Sequence, residues 1–600
     1  MRDKVLQRWV KQPPASPEIQ YLRDAERLNA WEQLGERTRV LDIASESNVT
    51  AGLQAEAVAR VDFSPDAIDH ARDILGDDVD RYEVTDPEKP DLPFPDDHFD
   101  AAVSIGPYDW KFLDIDHLTA EVNRVLESDG LFSFSVPTPR SPYATRGRNR
   151  FRYYEPDEAL DIIAPDWQLV DYDLVFQYPD RIHRIVKSLP TTMQEPFVDF
   201  SWRATKELTE RDRWNEAAYL VLGAKPMEYD DSLERALECL FRPAEDNGFW
   251  DTHDSKFIRG LDYSIDTGEH APAGPADLSW TRDDTIQWRY APFALMGAMQ
   301  WRVSERGTDA VDQKLRDQLA YFEDKLADDP SRIGMPSYGI GPLILSYALA
   351  DSVFEEEYAE MARTLFDYSR EAFDFSHAED SLLAYGWSYL YEQTGDEDVL
   401  DAIEDALWEI NERLDPPSGT FQFDNGTTRR HQNQMYTIWG MARAIEVTGK
   451  TGYLDSLELV LDYTIDERMQ ADGAFIWEDV AQPIRGWTEF VIDFFDRRPP
   501  HWDFLYECHQ TFFVNAVTHY YAAGGERDYD RAVGEAMAWI YGTNALDADL
   551  TELSGLGVPM RFMTRDGHMD VPDQMYKGAY EVGSYIMALT NLLDADGPFR

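Results

Sequence analysis

Residues 39–53, RVLDIASESNVTAGL, decide how the first third of the chain is read. Val40, Leu41 and Ile43 surround Asp42 in a short apolar run of the kind that forms a buried parallel strand. In nucleotide-binding folds such a strand enters a glycine-rich turn, where positive φ and bare backbone let a ligand approach closely. Here the turn is Ala44-Ser45-Glu46-Ser47-Asn48, and the first glycine is Gly52. The strand predicts a fold, and the turn asks whether a cofactor comes with it.

Working outward, short apolar runs at 39–43, 58–62, 101–105, 131–136, 168–175 and 217–223 alternate with helical stretches. That alternation predicts a parallel sheet covered by helices, an α/β Rossmann-like layout. One helix is expected over 65–75 behind the cap Ser64, and another over 115–127, ended by Asp129-Gly130. A long insert separates the last two strands, and Pro226 marks the boundary of a first domain spanning 1–226.

The stretches RVLDIA, VARVDFSPDAIDHAR, VTDPEKPDLPFPDDHFDAAVSI and LTAEVNRVLESDGLFSFSVP follow one another as do the motifs of class I S-adenosylmethionine-dependent methyltransferases. The chain resembles the small-molecule, type 11-like branch of that family over about residues 20–226. The resemblance implies S-adenosylmethionine as cofactor, with Asp62 on the ribose hydroxyls and Asp86 on the adenine amino group. It further implies that Asp42 orders the loop and that Ile105 lies beneath the cofactor. The chain departs from the family at the loop, where Ala44 and Glu46 stand in place of glycines. Glu46 brings negative charge to where the family holds a methionine carboxylate with backbone donors. Two readings follow, a working methyltransferase or a domain that keeps the fold as scaffold.

Charge and composition limit the partners. There are 114 acidic against 56 basic residues, a net charge of −58 spread along the chain. With scarce lysine and abundant aspartate, the composition resembles that of proteins from salt-accumulating halophilic archaea, where counter-ions screen such a surface. No basic stripe exists to neutralise phosphates, so no nucleic-acid partner is expected. No run reaches the length of a membrane span, and the first residues lack the apolar core of a signal peptide, so the expectation is a soluble cytoplasmic protein. Cys239 and Cys508 are too few for a disulfide framework or a cysteine metal site, and no histidine–carboxylate spacing proposes a metal.

From 227 to 600 strand signals give way to amphipathic helices. Twelve are expected, at 230–241, 286–305, 309–327, 340–352, 354–373, 380–394, 396–414, 432–448, 451–470, 507–523, 527–543 and 576–594. Glycine turns such as EQTGDEDVL and EVTGKTGYL join them into hairpins. Gln434 precedes Gly449 and Gln510 precedes Gly525 at the same interval, marking an internal repeat. The longer connections SGTFQFDN and DGAFIWED also repeat. Short turns on one side and long, decorated loops on the other describe an all-α (α/α)6 toroid with one functional face. In architecture this resembles six-hairpin carbohydrate-active enzymes: glycosidases, uronyl hydrolases, lyases and epimerases.

The long loops carry what a sugar site needs, aromatic faces for sugar rings with carboxylates and amides for hydroxyls. Glu478, Asp479, Glu507, His509, His431 and Tyr576 are the candidate catalytic groups. Trp288, Arg429, Arg430, Gln434, Trp477 and Trp502 are the candidate substrate contacts, the arginines suiting a uronate carboxylate. Two carboxyls, one protonated, would serve hydrolysis; a tyrosine or histidine taking a proton beside a uronate would serve a lyase or epimerase. The leading expectation is a carbohydrate-modifying protein acting on a glycan or sugar. The alternatives are methylation of a non-sugar metabolite, with the toroid as lid or homo-oligomerisation module, and a non-catalytic assembly factor.

Overall fold

A computed structural model of the chain describes residues 16–144, 151–283, 285, 288, 290–326, 334–354, 358–424, 430–477, 491 and 503–594. The chain divides into two compact units, Met1–Met227 and Glu228–Arg600.

The first unit runs α1 (Pro17–Leu34), β1 (Glu36–Ile43), α2 (Ser47–Thr50), β2 (Gln54–Asp62), α3 (Pro65–Leu75), β3 (Arg81–Val84) and β4 (Phe99–Ile105). It continues with α4 (Ile115–Val125), β5 (Leu126–Pro137), α5 (Pro156–Leu160), β6 (Trp167–Val175), α6 (Asp180–Ser188), α7 (Thr191–Glu210) and β7 (Tyr219–Pro226). The seven strands lie in the order β3-β2-β1-β4-β5-β7-β6. Pairing is parallel from β3 to β5, while β7 runs antiparallel to both its neighbours. Leu41, Ile43 and Val61 face one core layer, whereas Val40, Val103 and Val221 face another that includes Tyr21, Leu22 and Ala25 of α1. Because successive side chains alternate faces, this two-sided burial explains the near-continuous apolar strands.

Three local expectations are corrected. No strand signal marks Arg81-Tyr82-Glu83-Val84, yet these residues form the edge strand β3, where no residue is buried. Ser64 precedes α3 in extended conformation, but its side chain makes no capping bond. Asp129 and Gly130 do not end a helix; they lie inside β5, whose pairing with β4 extends back past an irregularity at Phe99/Ala101.

The second unit begins with α8 (Tyr229–Phe241), the two-residue strands β8 (Trp250–Asp251) and β9 (Lys256–Phe257), β10 (Gly260–Ile265) and β11 (Leu278–Asp283). Next come α9 (Tyr290–Val303), α10 (Asp312–Leu326), α11 (Ser337–Val353), α12 (Ala359–Ala372), α13 (Ser381–Thr394) and α14 (Glu397–Asn411). After β12 (Leu414–Asp415) and β13 (Thr420–Phe421) follow α15 (His431–Thr448), α16 (Leu454–Arg468), β14 (Phe504–Tyr506), α17 (Glu507–Ala522) and α18 (Asp530–Ile540). The unit ends with α19 (Leu550–Ser554), β15 (Phe562–Thr564), β16 (Tyr576–Gly578) and α20 (Ala579–Leu593).

Six of these helices form a closed inner ring: α9 packs on α11, α11 on α13, α13 on α15, α15 on α17, α17 on α20, and α20 back on α9. The other six long helices, α8, α10, α12, α14, α16 and α18, pack outside them, each against an inner partner. The sequence separates the two rings. Inner helices such as YAPFALMGAMQWRV are apolar on nearly every side and are buried all round. Outer α14 is amphipathic, burying Val399, Ala402, Ile403, Ala406, Leu407 and Ile410 at helical spacing. Turns from inner to outer helix are short, and Gly395 and Gly449 close two of them with φ of 69°. Connections from outer to inner helix are long. Every inner helix therefore points the same way, and its N-terminus meets the long loops at one mouth.

The inner ring is tight because glycines let backbones touch. A Cβ on Gly297 of α9 would sit 2.1 Å from the carbonyl oxygen of Gly583 on α20. One on Gly341 of α11 would sit 2.0 Å from that of Leu382 on α13. Both are well inside any permitted contact.

Candidate functional site

In the first unit the sheet's topological switch falls between β1 and β4, so the crevice lies above their carboxyl ends. The loop at 44–48 and the turn at Gly106–Asp109 form its rim. Ala44 adopts φ of 49°, the left-handed conformation for which glycine is suited, and its N–H donates to Val61 O at 2.8 Å. Asp42 accepts from Ser45 N at 3.2 Å and from Thr50 Oγ1 at 2.6 Å. Ile105 is buried, and its N–H donates to Ser45 Oγ at 3.0 Å. Asp86 is exposed and accepts from Glu88 N at 3.1 Å within its own turn.

Beneath these residues lies a charge that the sequence did not advertise. Arg60, opposite Asp42 in the β1–β2 register, is fully buried and bridges Asp42 and Asp62. Its Nη2 lies 3.2 Å from Asp62 Oδ2 and donates to Ser45 O at 2.8 Å. Asp62 also accepts from Phe63 N at 2.8 Å, and only 3% of the residue is exposed. Above it, Glu46 is buried and pairs with Arg23 of α1 at 3.0 Å. Burial raises the Glu46 carboxyl to about 7 against the pull of Arg23. Glu26, bonded to Ser135 Oγ at 2.8 Å, is lifted by burial to about 8. Asp109 is likewise raised well above the ordinary carboxylate range by burial, with Glu26 adding to the effect.

At the loop the chain departs from the family's glycine pattern, although Ala44 keeps the left-handed backbone that a glycine would take there. The position that should offer backbone donors to a carboxylate holds a glutamate already engaged by Arg23. Glu26 and Asp109, both raised by burial, are protonated at neutral pH and add no charge beside it. Each oxygen of Asp62 accepts one bond from the protein, and a carboxylate has further lone pairs beyond these two.

In the second unit the mouth of the ring gathers residues from the start of several inner helices. Tyr290 of α9 stacks on Tyr580 of α20, with ring centroids 4.7 Å apart. Tyr436 of α15 packs against Phe293 and lies within electrostatic reach of Tyr290, Tyr338 and Glu379. Glu379 and Asp380 form the turn that opens α13. Glu379 is half-buried, whereas Asp380 is 3% exposed and accepts from His377 N and the Ser337 hydroxyl. Burial raises the Asp380 carboxyl above its ordinary range.

Beside this lies a buried charged floor. Lys577 bridges Glu507 and Glu581, and Arg561 Nε donates to Glu581 Oε1 at 2.7 Å. Arg561 lies 4.0 Å from the Tyr576 ring centroid and 4.8 Å from that of Tyr506. Arg259, paired with Asp283 at 2.6 Å, covers Tyr290 and Tyr576. Arg430 lies 5.1 Å from the Trp477 ring centroid.

The sequence candidates are distributed unevenly about this mouth. Tyr576, Arg430 and Trp477 belong to the aromatic and cationic rim. Trp288 is half-buried and stacks near Tyr321. Glu507 is fully buried, its carboxyl raised by burial and bound to Lys577. His431 and His509 are packed together in the core, with His431 Nε2 bonded to His509 O at 3.0 Å. Burial holds both imidazoles neutral, lowering His509 to about 3. Gln434 is fully buried and uses its amide on Phe421, accepting from N and donating to O at 2.9 Å each. Glu478, Asp479, Arg429 and Trp502 lie outside the described residues. Sequence reasoning passed over Glu379, Asp380, Tyr290, Tyr338, Tyr436 and the Lys577–Arg561 floor. The signal for the first pair was present in HAEDSLLAYGW, adjacent acids immediately ahead of an all-apolar helix.

The fold and the mouth define the chain's class: a methyltransferase-type α/β domain followed by an (α/α)6 toroid. Residues 41–134 match the family model described as a methyltransferase domain, in agreement with the first half of that description. No curated protein sequence matches the chain. Among solved structures, an inactive variant of an α-1,6-mannanase, GH76A of Salegentibacter sp. HEL1_6 in complex with α-1,6-mannotetrose, is 12% identical. That likeness covers 61% of this chain and 98% of that one, with a TM-score of 0.42. Geranyl diphosphate C-methyltransferase from Streptomyces coelicolor A3(2) is 14% identical over 38% of this chain and 98% of its own, with a TM-score of 0.27. A putative methyltransferase from Haloferax volcanii, in complex with the Trm112 methyltransferase activator, is 18% identical over 35% and 91%, with a TM-score of 0.24.

Proposed function

We propose that the chain is a carbohydrate-active protein whose working site is the mouth of the toroid, with the α/β domain serving as a scaffold that does not use a methyl donor. The observation that carries this reading is the pair Glu379–Asp380 at the head of α13, beside the tyrosines at the mouth. Glycoside hydrolysis needs one carboxyl kept protonated and one ionised, and environment sets which is which. Asp380, buried and raised, suits the acid that protonates a leaving oxygen; Glu379, half-buried, is the second carboxyl beside it. Tyr290, Tyr338 and Tyr580, all half-buried, supply aromatic surface on which a sugar ring can stack, with Tyr436 buried behind them. Arg259, paired with Asp283, and Arg430 place guanidinium groups over aromatic rings at the rim, chemistry that suits a glycan carrying carboxylates. The chain's net charge of −58 supports function in a salt-accumulating cytoplasm.

The test is incubation of the whole chain with neutral and uronate-containing polysaccharides in molar KCl, reading reducing ends and unsaturated products separately. Reducing ends without unsaturation from at least one glycan are expected. Unsaturated product would replace hydrolysis by elimination, and no product from any glycan would overturn the reading. Calorimetric titration with S-adenosylmethionine is expected to show no binding; saturable binding would restore the front domain as an enzyme.

A further inference from the structure

We propose that His270, His568 and Asp570 form a site for one divalent transition ion of the zinc, cobalt or nickel class. Their candidate ligand atoms all lie within 4.8 Å of one another. His270 Nδ1 is 2.9 Å from Asp570 Oδ2, and the two imidazoles are stacked with centroids 4.3 Å apart. Two imidazoles and one carboxylate form a nitrogen-rich, borderline set that suits these ions and not magnesium or calcium. Bonds of about 2.0–2.1 Å place neighbouring ligands of a tetrahedral ion roughly 3.3 Å apart. Small rotations of the two exposed rings close that difference.

The backbones that present the three groups are already fixed. His270 comes from the β10–β11 connection, 300 positions from Asp570 in the chain, which is why spacing in the sequence hides the site. Met569, flanked by His568 and Asp570, is fully buried; its N–H donates to His270 O at 2.7 Å. Its carbonyl accepts from Tyr263 Oη on β10 at 2.9 Å, and His568 O accepts from Thr564 N at 2.9 Å. The loops are thus joined before any ion arrives, so binding need order only side chains. β10 pairs with β16, where Asp262 faces Tyr576, so the ion would clip two loops over the strands that carry part of the toroid's rim. Three protein ligands leave room for water, and each imidazole must be deprotonated at its ligating nitrogen, so affinity should fall as pH drops through the histidine range.

The experiment uses the untagged whole chain, stripped with a chelator and held in molar KCl with excess Mg2+ to occupy the diffuse acidic surface. Titration with Co2+ is followed by visible absorption and calorimetry. The expected result is one saturable site per chain, at least tenfold weaker in His568→Ala and in Asp570→Asn, and unchanged in His253→Ala, which removes a different exposed histidine. His568 and His253 are exposed and Asp570 is half-buried, so the three variants should melt like the parent without metal. No saturable Co2+ binding by the parent, or equal binding by His568→Ala, would overturn the proposal.

Discussion

Asp62 stands where a strand-end acid would meet a ribose, yet Arg60 occupies it from below, two residues earlier on the same strand. An arginine within a strand interior gives no pattern signal, so this part of the crevice could not be read from sequence; only the register that sets Arg60 opposite Asp42 reveals it. Glu46 was visible as a departure, but its burial against Arg23 was not. The acids here make stability depend on pH. Glu26 has a folded-state value near 8 against an ordinary 4.5, so the folded state holds a proton that the unfolded state has lost between those limits. Its contribution to stability is fully present below about 4.5 and is lost as pH rises through 8. Glu26→Gln is therefore expected to flatten the fall in the α/β domain's stability between these pH values, measured by urea unfolding; an unchanged slope would count against the assignment.

At the scale of elements, the twelve toroid helices were legible from apolar runs punctuated by glycine turns. The sequence reads all of them as amphipathic, whereas the inner six are apolar nearly all round and only the outer ones are one-sided. The edge strand β3 was not, since a run of four residues with none buried carries no periodic signal. The mouth was legible only in part, because Glu379, Tyr290 and Tyr436 come from three separate parts of the chain and meet through space. Glycine contacts between inner helices bear on this scale. Gly341→Ala sets a methyl against the Leu382 carbonyl and is expected to destabilise by about 1–3 kcal/mol or more, read from chemical denaturation. Gly274→Ala, with no atom within 4 Å of the new Cβ, is the control and should change stability by less than about 0.5 kcal/mol. Equal effects at both positions would show that backbone contact does not set the spacing of the ring.

For the whole molecule, 58 uncompensated negative charges repel one another wherever salt does not screen them. Thermal unfolding temperature is expected to climb steadily between about 0.1 M and about 2 M KCl, as the screening length shrinks well below the span of the surface. A melting point indifferent to KCl would remove the halophilic reading. The proposed chemistry lies at the mouth of a closed ring that follows, along the chain, an α/β domain of methyltransferase type. Its most direct test is the reducing-end release of the parent chain beside that of Glu379→Gln/Asp380→Asn, both confirmed folded by melting in molar KCl. The double variant is expected to keep its melting point within a few degrees and to lose activity by at least about a hundredfold. A folded double variant with parental activity would place the chemistry elsewhere.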